Sequence, residues 1–213
     1  MRKSLMILPA LGVAAVVAAV ALPAVAETRT YSLDGFEKVS ASAGVEVILK
    51  QGPYAISVNE PKGKFDKLKL EVKGDTLIVS RQNSSGFWGN NADFTVTVTA
   101  PAYTGVSASS GSDVEGERLS LRDLDISVSS GASIELDGSC TVMKVSVSSG
   151  GDFDGEDLKC ETASISASSG ADADAFATVK ASGDASSGGS ITFHGNPQTF
   201  QKETSSGGSV RAS

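Results

Sequence analysis

Carboxylate side chains recur at a nearly fixed interval in the C-terminal half of the chain, and this spacing suits two kinds of chemistry. A row of carboxylates can bind hard cations such as Ca²⁺, which take oxygen ligands. Two carboxylates facing each other across a cleft can cleave glycosidic bonds. The residues concerned lie two or four positions after a recurring glycine: Asp113, Glu115, Glu135, Asp152, Asp154, Asp172 and Asp174.

We favour a purely structural interpretation of this acidic stripe. In that interpretation the carboxylates form a solvated strand surface, which discourages aggregation between sheets. Glycoside hydrolysis needs two carboxylates at a tuned separation, whereas these acids form a uniform series. The only histidine, His194, precedes a Gly-Asn-Pro turn, and we expect a surface or capping residue there. We therefore predict no catalytic residue and no cofactor. The alternative is a carbohydrate-active enzyme, either a polysaccharide lyase or a glycoside hydrolase, on a β-helix.

The only two cysteines, Cys140 and Cys160, both lie ten residues before a recurring glycine. The same register in adjacent coils would place them about 5 Å apart, within the Cα range that a disulfide tolerates. We predict a Cys140–Cys160 disulfide or, failing that, a pair of stacked buried thiols. Two cysteines without a histidine partner do not make a metal site.

The element that must position these residues is a tripeptide, Ser-Ser-Gly, that recurs through residues 104–213. Its glycines are spaced by 18 to 20 residues. A period this regular predicts a solenoid, in which each coil buries its apolar side against its neighbours. The glycines are Gly111, Gly131, Gly150, Gly170, Gly188 and Gly207.

Apolar residues alternate with polar ones on both sides of each tripeptide, which indicates two strands that meet at a corner. Glycine suits a corner because a positive φ costs it no steric penalty. The serines are turn residues, since no base is placed to activate one as a nucleophile. The sequence therefore predicts an all-β parallel β-helix, right-handed and with about 19 residues per coil. Phe193 and Phe200 are expected to close its C-terminal end.

Residues 27–103 predict a region of strands and hairpins that forms one continuous domain with the coils. The alternating runs around Leu70 and Ile78 are joined by Gly74-Asp75 and predict a hairpin. Phe87 and the only tryptophan, Trp88, occupy a glycine-rich loop. This loop is a possible contact site; the alternative, which we favour, is that the two aromatic residues fold back and cap an open end of the core.

Residues 1–26 have the features of a cleaved secretory signal: Arg2 and Lys3, an apolar run, and Ala24-Val25-Ala26 before Glu27. The formal net charge is −7, and it becomes −9 once the two basic residues of this segment are removed. Such acidity argues against nucleic acid and anionic membranes as partners. We expect a protein exported to the periplasm or the outer cell surface, with no stable membrane insertion after cleavage.

Taken together, these features resemble the head GIN domain family of auto-transporter adhesin-like proteins over about residues 34–213. The resemblance implies a secreted β-helical domain of bacterial envelopes, with no established reaction to carry over. It implies a non-catalytic binding or adhesion function toward an uncharacterised protein or polysaccharide. Besides the serial Ser-Ser-Gly coils, the matching stretches are Phe36-Glu37-Lys38-Val39, Gly44-Val45-Glu46-Val47, Gly74-Asp75-Thr76-Leu77-Ile78-Val79, Gly195-Asn196-Pro197 and Ser205-Ser206-Gly207-Gly208-Ser209-Val210.

Overall fold

The computed structural model describes residues 27–82 and 93–213. The expected signal segment and the loop that carries Phe87 and Trp88 lie outside these described residues. Within the described ranges there is one turn of 3-10 helix, Phe65–Lys67, and no helix with the length and hydropathy to cross a bilayer. The strands are β1 (Glu27–Tyr31), β2 (Lys38–Ser42), β3 (Glu46–Gln51), β4 (Ala55–Glu60), β5 (Leu68–Lys73), β6 (Thr76–Arg81), β7 (Thr95–Ala100), β8 (Gly105–Ser109), β9 (Asp113–Ser120), β10 (Asp123–Ser129), β11 (Ser133–Ser148), β12 (Asp152–Ala167), β13 (Asp172–Ala185), β14 (Ser190–His194), β15 (Thr199–Thr204) and β16 (Ser209–Ala212).

The predicted β-solenoid is confirmed, with about five turns and a strand-rich N-terminal part. Each turn has a first leg after the corner glycine, a bend, and a second leg before the next corner. The first leg of β11 pairs in parallel with β9, and its second leg pairs with β10. We call the outward surface of the first legs the acid face. The serine face is the outward surface of the second legs together with β2, β8, β10 and β15.

The Ser-Ser-Gly tripeptides are the corners, as the sequence predicts, and they use two residues in the left-handed region. At Ser130-Gly131, for example, φ is 57° and then 67°. The second serine therefore shares the unusual conformation with the glycine, which sequence reasoning assigned to the glycine alone. An added Cβ at Gly131 would meet nothing within 4 Å, so the glycine is required by backbone conformation and not by space.

Backbone hydrogen bonds connect one corner to the next along the rod. The N–H of Gly111 donates to the carbonyl of Ser130 at 3.2 Å, and Gly131 donates to Ser149 at 3.3 Å. Gly44 joins this series by donating to Ser110 at 3.1 Å. Ala43 and Gly44 have φ values of 63° and 68°, so residues 42–44 form another corner in which alanine replaces the second serine.

The solenoid geometry thus continues into the N-terminal part, but the coils there do not stack in chain order. β2 pairs in parallel with both β8 and β6, and β3 pairs in parallel with both β9 and β7. The coil formed by β2 and β3 is therefore inserted between two later segments. β4 and β5 then pair antiparallel with β7 and β6, which confirms the predicted β5–β6 hairpin, and β1 adds antiparallel to β4.

The core consists of inward columns in which one residue per coil stacks on its counterpart. One such column in the second legs contains Val39, Val106, Ile126, Val145 and Ile165, all buried and in register. These β-branched side chains suit a pleated, buried surface. Because each coil is narrow, much of the stability must come from stacking between coils.

Phe193 and Phe200 meet at the C-terminal end of the core, in agreement with the sequence prediction. Phe193 is fully buried, and Phe200 is partly buried and packs edge-on against it with ring centroids 6.0 Å apart.

The inward column described above ends differently. Gly183 follows Ile165, and the exposed Lys202 on β15 follows Gly183 in register. A charged residue at an inward register position on an edge strand opposes further strand addition.

Lys202→Ile is expected to promote end-to-end self-association, because it replaces this charge with an apolar side chain on an edge strand. Size-exclusion chromatography with light scattering should show a shift toward larger species at matched concentration. Lys180→Ile is the matched control, since Lys180 is also exposed but faces outward beside Thr199 of the next coil. Identical elution of the Lys202→Ile and wild-type proteins would contradict the protective role of Lys202.

Candidate functional site

The predicted acidic residues form two adjacent columns on the acid face. In the first column, Asp113, Ser133, Asp152 and Asp172 are successive register partners. The second column runs through Glu115, Glu135, Asp154 and Asp174. The structure thus brings together all seven carboxylates that the sequence singles out, at the rung spacing of a parallel ladder.

Part of the charge in the first column is relieved by serine. The hydroxyl of Ser133 donates to Oδ1 of Asp113 at 2.6 Å. Asp152 and Asp172 are direct neighbours without an intervening serine. Burial raises the pKa of Asp152 above its ordinary value, and the charges of Asp172, Asp154 and Asp174 raise it further.

A small hollow of about 230 Å³ lies beside the second column, where the acid face meets the bend. It is lined by carboxylates of the acid face, such as Glu135, and by carboxylates of the bend, such as Asp137. In the part of the chain that the structure describes, no three histidine, cysteine or acidic side chains are grouped so that they could hold a metal ion. The interpretation of this stripe as a solvated face stays a prediction.

Asp152→Asn is expected to raise the melting temperature at pH 7. Since the folded-state pKa of Asp152 is raised above the reference value of 3.8, its ionised form destabilises the fold above that raised pKa. This destabilisation disappears as the pH falls through the pKa of Asp152 in the folded protein toward its lower pKa in the unfolded chain. Thermal unfolding at pH 7 and near pH 4 should therefore show a benefit that is lost in acid.

The control for this experiment is Asp123→Asn, which removes a carboxylate outside the two columns. An equal change in melting temperature at both pH values for Asp152→Asn would contradict the proposed repulsion.

The two cysteines are register partners at the bend, as the sequence predicts. Cys140 and Cys160 are both buried, with their Cα atoms 4.4 Å apart. This geometry allows a disulfide between the paired strands β11 and β12. Oxidation in the native protein stays a prediction, and it depends on export to an oxidising compartment.

His194 lies beside Asp174, the last acid of the second column, whose register partner on β14 is Thr192. Its Nε2 is 3.6 Å from both Oε2 of Glu156 and Oδ1 of Asp174, and its Nδ1 is 3.1 Å from the hydroxyl of Ser213. The imidazole therefore lies close to acids of β12 and β13, and its hydrogen bond connects β14 to the residue that follows β16. These contacts fit the predicted capping role at the C-terminal end.

A groove of about 550 Å³ on the serine face is the feature that sequence reasoning missed. It crosses five successive strands, which corresponds to about 19 Å at 4.8 Å per strand. Short side chains form its middle, and longer polar ones stand at its two ends. Its lining comprises Asp125, Ile126, Lys144, Val145, Ser146, Ser164, Ile165, Ser166, Ser182, Gly183, Asp184, Gln201, Lys202 and Glu203.

The concavity of this groove follows from residue size in register. Ser164 and Ser182 are partners in one outward column, whose next member is Gln201. The hydroxyl of Ser182 donates to that of Ser164 at 3.1 Å, so these two hydroxyls are linked across adjacent coils. Carboxylate, ammonium and amide groups from Asp125, Lys144 and Gln201 lie at the ends. The groove therefore offers donors and acceptors along its whole length.

The serine face could have been recognised in the sequence from the residues that precede each corner. Serine occupies both outward positions in Ser107-Ala108-Ser109, Ser127-Val128-Ser129 and Ser146-Val147-Ser148. The second serine in each belongs to the corner tripeptide, and the pattern is therefore easily absorbed into turn chemistry. The additional serine two residues earlier has no role in the corner.

A family model for "Putative auto-transporter adhesin, head GIN domain" matches residues 35–197. The chain belongs to the head GIN domain family. This agrees with the resemblance carried by the Ser-Ser-Gly coils and the Gly74-Asp75 turn, and the family name suggests binding of an external ligand and a location outside the cytoplasm. Among curated proteins, none matches this head GIN domain.

Solved structures of bacterial proteins share the fold. A "putative adhesin" from Bacteroides fragilis superposes with a TM-score of 0.71 at 17% identity, covering 88% of this chain and 96% of the other. A "putative lipid binding protein" from Parabacteroides distasonis gives a TM-score of 0.52 at 16% identity, with coverage of 88% and 96%. At these identities the likeness shows that the head GIN domain is a shared scaffold, and it assigns no ligand.

Proposed function

We propose that this head GIN domain is a non-catalytic binding domain of the bacterial cell envelope that holds an extended polysaccharide in the groove of the serine face. The observation that carries the proposal is the groove itself, about 550 Å³ in volume and lined across five strands by hydroxyl, carboxylate, ammonium and amide groups together with Ile126, Val145 and Ile165. Hydroxyl groups both donate and accept hydrogen bonds, as sugar hydroxyls do.

Three further features support this assignment. The predicted signal segment directs the chain to the periplasm or the outer surface, where envelope polysaccharides are found. The adhesin names of the family and of the Bacteroides fragilis protein point toward binding of an external ligand. The net charge, −7 for the full chain and −9 without the predicted signal segment, favours neutral or cationic polymers over anionic ones.

The absence of catalysis belongs to the same proposal. The acidic residues stack as a uniform ladder on the acid face, with Asp152 beside Asp172 and Asp154 beside Asp174. Glycosidases instead oppose two carboxylates across the bound sugar. We therefore expect binding without release of reducing ends or unsaturated products. Turnover of any polysaccharide tested would favour the alternative, a carbohydrate-active enzyme.

The proposal is tested with residues 27–213 and a panel of soluble polymers: peptidoglycan strands solubilised by amidase, dextran, chitosan oligomers and polygalacturonate. Calorimetry should detect binding of at least one neutral or cationic member. Ser166→Tyr fills the middle of the groove and should weaken that binding at least tenfold. Tyrosine is well tolerated on an outward strand position, so the fold should persist.

The matched control is Ser40→Tyr, which lies in the same outward column of the serine face but outside the groove lining. It should leave the affinity within about twofold. Failure of every polymer to bind, or equal weakening by both substitutions, would overturn the assignment of the groove.

A further inference from the structure

A second pocket, of about 310 Å³, lies at the opposite end of the molecule from the C-terminal coils and on a different surface from the groove. It is formed on β1, β4 and β7, which continue the sheet of the acid face beyond β3. Its floor contains the small residues Ala55 and Ser57, and Tyr31 and Tyr54 contribute to its walls. The volume is at the lower end of the range for small-molecule sites, which suits one compact ligand rather than a polymer.

Tyr54 gives this pocket a rigid aromatic surface. Its side chain is 38% exposed, although the ring packs against Phe36 with centroids 5.1 Å apart. Its hydroxyl donates to the carbonyl oxygen of Phe36 at 3.1 Å. The ring is thus fixed at two points before any ligand arrives, and such preorganisation reduces the entropic cost of binding.

Hydroxyl groups line the pocket next to this ring. Thr30, Ser57 and Thr97 are register partners across β1, β4 and β7, and Thr99 lies opposite Ala55. Within residues 27–82 and 93–213, the hydroxyls of Thr30, Ser57 and Thr97 make no hydrogen bond to the protein. They are therefore free to bond a ligand. Asp34 adds a carboxylate acceptor to the lining.

We propose that the pocket between β1, β4 and β7 binds a single neutral pyranose unit, with one apolar face of the sugar ring against Tyr54 and its hydroxyls bonded to Thr30, Ser57, Thr97 and Asp34. An aromatic ring beside several hydroxyls matches a sugar, which has an apolar C–H face and hydroxyls that donate and accept. A quaternary ammonium also binds aromatic walls and a carboxylate. It would leave the hydroxyl donors without acceptors, and the sugar is therefore the better match.

This site is independent of the groove on the serine face, so the two assignments can fail separately. Saturation-transfer NMR with methyl glucoside, methyl galactoside, methyl mannoside and N-acetylglucosamine tests the pocket directly. At least one sugar should give a signal with a millimolar or lower dissociation constant. Tyr54→Ala should weaken it at least tenfold, whereas Tyr54→Phe should stay within about threefold. Ser166→Tyr, in the groove, should leave it unchanged.

Ala55→Leu provides a second variant that does not depend on removing Tyr54 from its contact with Phe36. The larger side chain fills the pocket floor from an exposed strand position, and it should abolish the sugar signal while leaving the melting temperature nearly unchanged. Absence of binding by all four sugars, undiminished binding to both Tyr54→Ala and Ala55→Leu, or binding of choline in their place would overturn the proposal.

Discussion

Gly138→Ala is expected to destabilise this domain by about 3–5 kcal/mol, which is more than most single substitutions cost. Gly138 lies at the bend of β11, where the register shifts, and its φ is 129°. An added Cβ would lie 2.0 Å from the carbonyl oxygen of Leu119 and 2.5 Å from its nitrogen. The obstruction is backbone of the adjacent coil, which cannot move without breaking the ladder on either side.

Denaturant unfolding followed by circular dichroism measures this loss. Gly131→Ala is the matched control, since Gly131 has φ of 67° but nothing within 4 Å of an added Cβ. Its cost should be only the conformational one, about 1–2 kcal/mol. The difference between the two variants reports the steric conflict between coils together with the extra backbone strain at φ of 129°. Equal losses would show that the coils at this bend are not packed as described.

Replacing both cysteines with alanine is expected to lower the free energy of unfolding of the oxidised protein by about 3 kcal/mol. The Cys140–Cys160 cross-link would close a loop with a sequence separation of 20 residues, for which the loop-entropy relation gives about this value. Both side chains are buried, so alanine also removes some packing at the bend.

The measurement compares wild-type protein from an oxidising compartment with the double variant, each with and without reductant. Reductant should destabilise the wild type toward the variant and leave the variant unchanged. Two alkylatable thiols in the natively exported protein, seen by mass spectrometry, would contradict the disulfide and leave a pair of buried thiols.

The repeat could be predicted from sequence because its corners have a strict backbone requirement. Ser130-Gly131 and its equivalents need two consecutive residues with positive φ, which limits the residue types and exposes the period. Once the corners set the register, alternation assigned the acidic columns and the cysteine pair correctly. The corner at residues 42–44 escaped because Ala43 replaces the serine that marks the others.

The order in which coils stack could not be predicted from the same alternation. β2 satisfies its inward pattern equally well against β8 alone or between β8 and β6, since the pattern defines a face and not a neighbour. The groove was missed for a related reason. Ser164, Ser166 and Ser182 form a depression only because larger residues flank them along the rod, and that relation exists between coils rather than along the chain.

The most direct test of the central claim is chemical-shift mapping on ¹⁵N-labelled protein with whichever polymer of the panel binds. We expect perturbations at the amides of Ser146, Ser164, Ser166 and Ser182, with the acidic columns at Asp152 and Asp154 unaffected. Perturbations centred on the acid face, or no perturbation with any polymer, would contradict a binding function based on the serine face.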